Sequence, residues 1–362
     1  MRRVLVVRLR SIGDTVLATS SLLALRRFLP EARIDILLED WVAPLLEGFD
    51  AIDNIVSVPT KNLLPVNKVK HSSKDLLLVR LTVALLLRET KYDVAFNLHG
   101  GTTATFFVRA SGARHRVGFQ NYQYNFLYNH LLSSPSDFWH QEQTHSAEQQ
   151  LALLGFVGVP VADKPKSHLV VTDAARNSIE EKLTKSEIRN PNSEIALLHP
   201  AAAFELKQWA TENFARIAEF LYEKGLQTVA VATPKESDVL ENLKQNSNVP
   251  VLTFDDLTLP EITAFASRAK IFVGNDSGIA HIAAAVETPS VVIFGSSNIN
   301  HWRPRTNAPN QIVYAEKACN HLTGEIRKGS ENPTCIRCVE VGAVCEAIER
   351  VLVDKTNDEK LK

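Results

Sequence analysis

Short apolar runs alternate with helix-length stretches along most of this chain. In the first half, Val4 to Leu9, Arg33 to Leu38 and Asp93 to Leu98 read as strands. Thr15 to Leu29 has helical spacing and is followed by Pro30, and Asp75 to Arg88 reads as a very apolar helix. After a polar stretch at Thr184 to Asn192 the pattern restarts. Ile195 to Leu198, Thr228 to Ala232, Val251 to Thr253, Ile271 to Val273 and Val291 to Phe294 are five further strands. Strands alternating with helices predict parallel sheets with right-handed crossovers. The expected organisation is an α/β chain of two Rossmann-like, doubly wound domains facing a cleft. Residues 1–180 form the first, 181–345 the second, and 346–362 a C-terminal helix with a charged tail, frayed from Asp354 onward. Ligands of such sheets bind at the carboxyl ends of the strands.

The stretch Ile271 to Gly295 is the most informative. A buried strand runs into Gly274-Asn275-Asp276-Ser277-Gly278, a helix follows from Ile279 to Val286, and Pro289 opens the next strand. The turn presents backbone N–H groups and a helix N-terminus, where an anion can sit. An acid beside an anion site suggests that sugar hydroxyls are bound there too. Asp276 or Ser277 as a plain helix N-cap is the alternative, and the two roles are compatible.

Composition narrows the picture. The 362 residues are long enough for two ordinary domains, and a hydrophobic fraction of 45% with a formal charge of −1 describes a globular protein without bulk electrostatic bias. No apolar run is long enough to span a bilayer. Arg2 and Arg3 before Val4 to Val7 imitate a leader, but Arg8 and Arg10 interrupt the run, so a first strand is expected there and the cytoplasm as the location. All four cysteines fall between positions 319 and 345.

Asp276, Ser277, Gly278, His281, Ala284, Pro289 and Gly295 follow a pattern of Asp-(Ser/Thr)-Gly, two residues, His, an Ala-rich helix, Pro, a strand and Gly. With Val4 to Asp14 and the segment His199-Pro200 to Trp209, these residues resemble glycosyltransferase family 9, the ADP-heptose:lipopolysaccharide heptosyltransferases. The resemblance implies the GT-B fold and a metal-independent, inverting transfer of heptose from ADP-heptose to the lipopolysaccharide inner core. The acceptor it implies is a Kdo/heptose oligosaccharide carried on lipid A. No cofactor is expected; ADP-heptose enters as donor substrate.

The resemblance also assigns roles. Asp14, after Gly13 at the end of the first strand, matches the proposed general base, which takes the proton of the attacking sugar hydroxyl. Helix capping is its other reading. Lys207 would face the developing diphosphate, where a cation can replace a metal; an ordinary surface lysine is the alternative. The family often has Gly, Ser or Thr where this chain has Ala201, Ala202 and Ala203, so hydroxyl contacts from that loop are lost while backbone N–H contacts at Ala202 and Ala203 could survive. Glu236 matches an acid that binds the adenosine ribose, or is a first-turn acid of a helix. Leu257 lies where the family's backbone contacts adenine. His281, one turn past Gly278, could donate to phosphate or be a buried core histidine.

Lys61, Lys68, Lys70, His71 and Lys74 form a basic loop ahead of the apolar helix, and Arg114, His115 and Arg116 a second cluster. A solvated charge run is the default reading. An anionic, phosphorylated lipid acceptor would use Lys68, Lys70, Arg114 and Arg116, and the apolar basic face could rest on the inner membrane's cytoplasmic leaflet. Cys319, Cys335, Cys338 and Cys345, with His321, could hold zinc. Bystander thiols are preferred, because Gly324, Gly329 and Pro333 make the intervening stretch an open loop.

No Asp-x-Asp metal triplet occurs, which fits metal independence, and no Gly-x-Gly-x-x-Gly turn follows a strand, which argues against a dehydrogenase. The remaining alternatives are a GT-B transferase using another nucleotide-sugar or glycan acceptor, or a non-catalytic nucleotide-sugar binder. Nucleic acid is not an expected partner.

Overall fold

A computed structural model describes residues 2–60, 73–186, 193–315 and 335–360. The chain divides into two compact units, Met1–Ser167 and His168–Lys362.

The first unit holds six parallel strands, β1 (Arg3–Val7), β2 (Arg33–Glu39), β3 (Asn54–Val58), β4 (Val94–Asn97), β5 (His115–Phe119) and β6 (His130–Leu132), in the order β3-β2-β1-β4-β5-β6. The central β1 reads Arg-Val-Leu-Val-Val, and all but its first residue are buried, as expected of a strand covered on both faces. Helix α1 (Ile12–Phe28) packs against α5 (Ser146–Phe156). Helices α2 (Ser73–Thr90) and α3 (Gly101–Ala110) pack together, with Val83, Leu87, Phe107 and Val108 joining Leu5, Val7 and Leu37 in one core. The short α4 (Pro135–Trp139) sits on α5.

The second unit repeats the plan. Strands β7 (Ile195–His199), β8 (Gln227–Val231), β9 (Val251–Phe254), β10 (Ile271–Asn275), β11 (Ser290–Ile293) and β12 (Asn310–Val313) are all parallel, in the order β12-β11-β10-β7-β8-β9. Counted from each unit's first strand, both sheets have the doubly wound order 3-2-1-4-5-6. The helices are α6 (Asp173–Lys185), α7 (Thr211–Glu223), α8 (Ser237–Asn246), α9 (Leu259–Arg268), α10 (Gly278–Ala285), α11 (Ile299–Trp302) and α12 (Val341–Lys360).

The expected α/β architecture is present, with three corrections. Among the described residues the first unit has six strands rather than three and the second six rather than five; the additions β3, β5, β6 and β12 lie at or beside sheet edges, where polar residues interrupt the apolar signal. The division falls at Ser167, not at 180. Helix α6, which position 180 would cut, packs on α9, with the Ser178 hydroxyl donating to Glu261 at 2.6 Å and Arg268 paired with Glu180. The segment from 346 onward is not separate either. α12 begins at Val341 and continues to Lys360, and its Val344, Ala347, Ile348 and Val351 are buried with Trp209 and Ile293 in the core of the second unit.

Candidate functional site

In each unit the strand order reverses between the first and fourth strands, and the loops leaving their carboxyl ends diverge to opposite faces of the sheet. That crevice is where doubly wound sheets bind ligands.

In the first unit these are the loops after β1 and β4. Ser11 caps α1: its Oγ accepts the backbone N–H of Asp14 at 3.3 Å, and its backbone has φ 77°, a strained value for a residue with a side chain. Asp14 therefore does not cap the helix. Its carboxylate forms an ion pair with the Arg8 guanidinium, which is buried and also donates to the carbonyl of Leu98 at 2.6 Å. Burial pushes the Arg8 guanidinium below its ordinary value, and the charge of Asp14 opposes that shift.

After β4 the chain turns through Gly100 and Gly101, both at positive φ. The Asn97 side-chain oxygen accepts the N–H groups of His99 and Gly100 at 3.0 and 2.9 Å, and Tyr122 donates to the Asn97 carbonyl at 3.1 Å. A Cβ on Gly100 would lie 3.1 Å from the Tyr122 ring. His99 Nδ1 is buried without a hydrogen-bond partner among the described residues. Burial, then the charges of Arg8 and Arg10, push this imidazole down to about 4, so it is neutral at pH 7. Arg8, His99 and Tyr122 were not singled out in the sequence; the one available signal was a charged Arg8 ending an apolar run.

In the second unit, the loops after β7 and β10 are tied together. Asn275 donates to the carbonyl of Pro200 at 2.8 Å and accepts the N–H of Trp209 at 3.1 Å. Trp209 is fully buried against Phe214 and donates its indole N–H to Val339 at 3.0 Å. It is the anchor of the Lys207 loop, not a ligand-facing ring. Lys207 Nζ lies 2.8 Å from Asp276 Oδ2, which also accepts from the Ser297 hydroxyl at 2.6 Å. Asp276 is buried and Lys207 half-buried. The expected cation is thus present at the strand end and is paired with the expected acid.

Ser277 is the N-cap residue of α10, yet its side chain caps nothing; its Oγ is buried and has no partner among the described residues. Gly278 opens this helix and His281 is buried one turn inside it. The N–H of Ala202 is occupied by the Gln208 side chain at 3.3 Å, while Ala203 is exposed. Glu236 follows β8. One of its oxygens accepts from the backbone N–H and hydroxyl of Thr233, at 3.0 and 2.7 Å, in a capping box. Beneath it, burial holds the His199 imidazole below its ordinary value, opposed by a hydrogen bond to Val231 at 2.8 Å and by the charge of Glu236. Leu257 is half-buried in the loop between β9 and α9.

Lys207, Glu236, Leu257 and Asp276 therefore follow the carboxyl ends of four adjacent strands, β10-β7-β8-β9. Three inter-strand steps of about 4.8 Å span about 14 Å, the length scale of a nucleoside diphosphate sugar.

The described acceptor candidates, Arg114 and Arg116, do not assemble with Asp14. Arg114 immediately precedes β5 and is exposed at the amino edge of the sheet, whereas Asp14 follows the carboxyl edge. Arg116, on β5, donates to the carbonyls of Leu127 and Ala113 at 2.7 and 2.8 Å and so braces a loop. Lys61, Lys68, Lys70 and His71 lie outside the described residues, as do Cys319 and His321. Cys335 is buried, and Cys338 and Cys345 are half-buried. Burial and the nearby acids Glu349 and Glu223 push the Cys345 thiol up. Among the described residues no cluster of three or more ligating side chains could hold a metal.

The family description "Glycosyltransferase family 9 (heptosyltransferase)" matches residues 80–328. The chain belongs to this family. It is a glycosyltransferase with the GT-B fold. The family 9 chain is 27% identical to lipopolysaccharide heptosyltransferase 3 of Escherichia coli, over 76% of this chain and 78% of that protein. It is 26% identical to lipooligosaccharide heptosyltransferase 2 of Haemophilus influenzae, over 77% and 79%. Among solved structures, it resembles a family 9 glycosyl transferase of Veillonella parvula with a TM-score of 0.82, 18% identity and coverage of 98% and 97%. The ADP-heptose heptosyltransferase II of E. coli gives a TM-score of 0.77, 20% identity and coverage of 98% and 100%.

Proposed function

We propose that this chain moves heptose from ADP-heptose to the lipopolysaccharide inner core, inverting the anomeric centre and using no metal ion. The observation that carries the reading is the array Asp276, Lys207, Glu236 and Leu257 on four neighbouring strand ends of a family 9 chain. The names of the similar proteins support the acceptor class. In this reading Glu236 takes the ribose hydroxyls and the backbone at Leu257 the adenine. The α10 N-terminus at Ser277, Gly278 and His281 takes the diphosphate. Asp276 takes heptose hydroxyls. The diphosphate draws Lys207 from its carboxylate partner, and the ammonium then faces the leaving group.

The acceptor hydroxyl oxygen attacks the anomeric carbon, and the bond from that carbon to the phosphate oxygen breaks. Asp14, positioned by Arg8, receives the hydroxyl proton, and ADP departs with the bonding pair. The enzyme works in the cytoplasm on an acceptor carried by lipid A. The three alanines at 201–203 also support a second reading, a transferase of the same mechanism with a different nucleotide-sugar or glycan acceptor.

Purified protein, ADP-heptose and a defined Kdo-lipid A acceptor provide the test. ADP release and the product's anomeric configuration are measured with and without EDTA. Transfer with inversion, unaffected by chelation, is expected, and Asp14→Asn should reduce it by about two to four orders of magnitude. Dependence on added magnesium, or near wild-type turnover of Asp14→Asn, overturns the mechanism. Turnover of other nucleotide-sugars alone supports the second reading.

A further inference from the structure

Helix α2 buries one face and leaves a leucine surface on the other. Val83, Ala84 and Leu87 point into the core. On the opposite side Leu77, Leu78, Leu81, Leu85 and Leu86 are 58%, 63%, 44%, 63% and 54% exposed. At 100° per residue these five side chains cover one continuous half of the helix. Phe106 adds an exposed ring on the adjacent α3. Contiguous apolar patches of this kind are rare on surfaces that meet only water.

The charges around it identify what covers it. Arg88 and Arg109, in the last turns of α2 and α3, are exposed, as is Arg114. None of the three forms an ion pair among the described residues. The Arg88 guanidinium lies beside the Gly112 turn, close to the segment from Arg109 to Arg114. Among the described side chains of α2, Glu89 is the only exposed acid. A second copy of this face in a two-fold interface would bring positive rim to positive rim. Among the described residues no helix is long and apolar enough to cross a membrane. A leucine face with a basic rim on a non-spanning helix matches the chemistry of an anionic bilayer surface.

We propose that the outer face of α2, with Phe106, Arg88 and Arg109, docks the protein on an anionic lipid bilayer. The leucines enter the acyl boundary and the guanidinium groups meet phosphate headgroups. This stands apart from the choice of sugar donor, because its test contains no donor.

Flotation with vesicles of phosphatidylcholine alone, or with phosphatidylglycerol added, measures it. Wild-type protein should float with the anionic vesicles and much less with the neutral ones. Leu78→Gln/Leu81→Gln/Leu85→Gln should lose roughly a hundredfold in partitioning, with an unchanged melting temperature. Arg88→Gln/Arg109→Gln should lose the preference for anionic lipid. Wild-type protein that binds neither vesicle, or a leucine variant that binds as well as wild type, overturns the proposal. So does a wild-type dimer in sedimentation that the leucine variant dissociates, since a second copy would then own the face. If the leucine variant melts early, single Leu78→Gln and Leu85→Gln variants, each expected to lose about fivefold, replace it.

Discussion

Replacing Arg8 by Met would keep much of the stem's volume and remove the guanidinium. Two groups then lose their partner: the Asp14 carboxylate and the carbonyl of Leu98. Breaking a buried ion pair from one side costs about 3 to 5 kcal/mol. Asp14 keeps 19% of its side-chain surface, so water relieves part of this and the lower end, about 3 kcal/mol, applies. For a unit of this size, each kcal/mol moves the melting temperature by about 2 to 4 °C, so thermal unfolding should shift down by about 6 to 12 °C. Asp14→Asn alone strands the Arg8 charge and should also destabilise. The double variant should cost less than the sum, by about 1 to 3 kcal/mol, because the second substitution removes the group the first left unpaired. Under the proposed reaction, Arg8→Met should also lower kcat by about a hundredfold while leaving donor KM nearly unchanged. Calorimetry on the four proteins and steady-state kinetics measure both effects. Additive melting shifts together with an unaltered kcat would refute the role of Arg8 in holding Asp14.

Lys207→Ala should lower kcat/KM by about a hundredfold or more and weaken ADP binding, seen by calorimetric titration; unchanged values would return Lys207 to the surface. His99 has its imidazole pushed from an ordinary value near 6.5 down to about 4. The unfolded chain therefore takes up a proton that the folded one refuses, and stability should fall as pH drops from about 6.5 toward 4. His199 and His130, also depressed, act in the same direction, so His99→Gln should flatten the slope of denaturation midpoint against pH without abolishing it. Gly295→Ala would place a Cβ 2.4 Å from the backbone oxygen of Leu206, so the Lys207 loop must move. A loss of about 1 to 3 kcal/mol in stability and a raised donor KM are expected, and wild-type values on both counts would show the loop to be slack.

The central strands were legible because a strand covered on both faces needs an apolar run, and β1, β7, β10 and β11 each carry at least three consecutive apolar residues, with a polar residue only at one end. The edges were not. His115-Arg116 reads as a surface charge cluster, yet in β5 Arg116 donates to loop carbonyls and His115 pairs with the His130 ring, contacts that no local pattern reveals. The Gly274–Gly278 turn announced the passage from a strand to a helix, but not that Asp276 would be the partner of Lys207, which stands 69 residues earlier. Trp209 closes the segment that carries the family resemblance, but no local pattern shows that its indole donates to Val339, a contact 130 residues away. The α2 leucines could be counted in the sequence, but which half of them faces water is decided by where α3 and the sheet pack.

The Lys207–Asp276 pair gives the lysine an internal counter-ion. Under the proposed reaction, a cation already neutralised in this way exerts little pull on stray phosphate or free nucleotide. Under the proposed reaction, an arriving donor swaps partners on both sides at once: its diphosphate takes the lysine, and its sugar hydroxyls take the aspartate that the lysine releases. After transfer the sugar is gone, and the aspartate competes again for the lysine still holding ADP. The same carboxylate that screens the resting site would then help to eject the spent nucleotide, so turnover and selectivity would share one switch of partners.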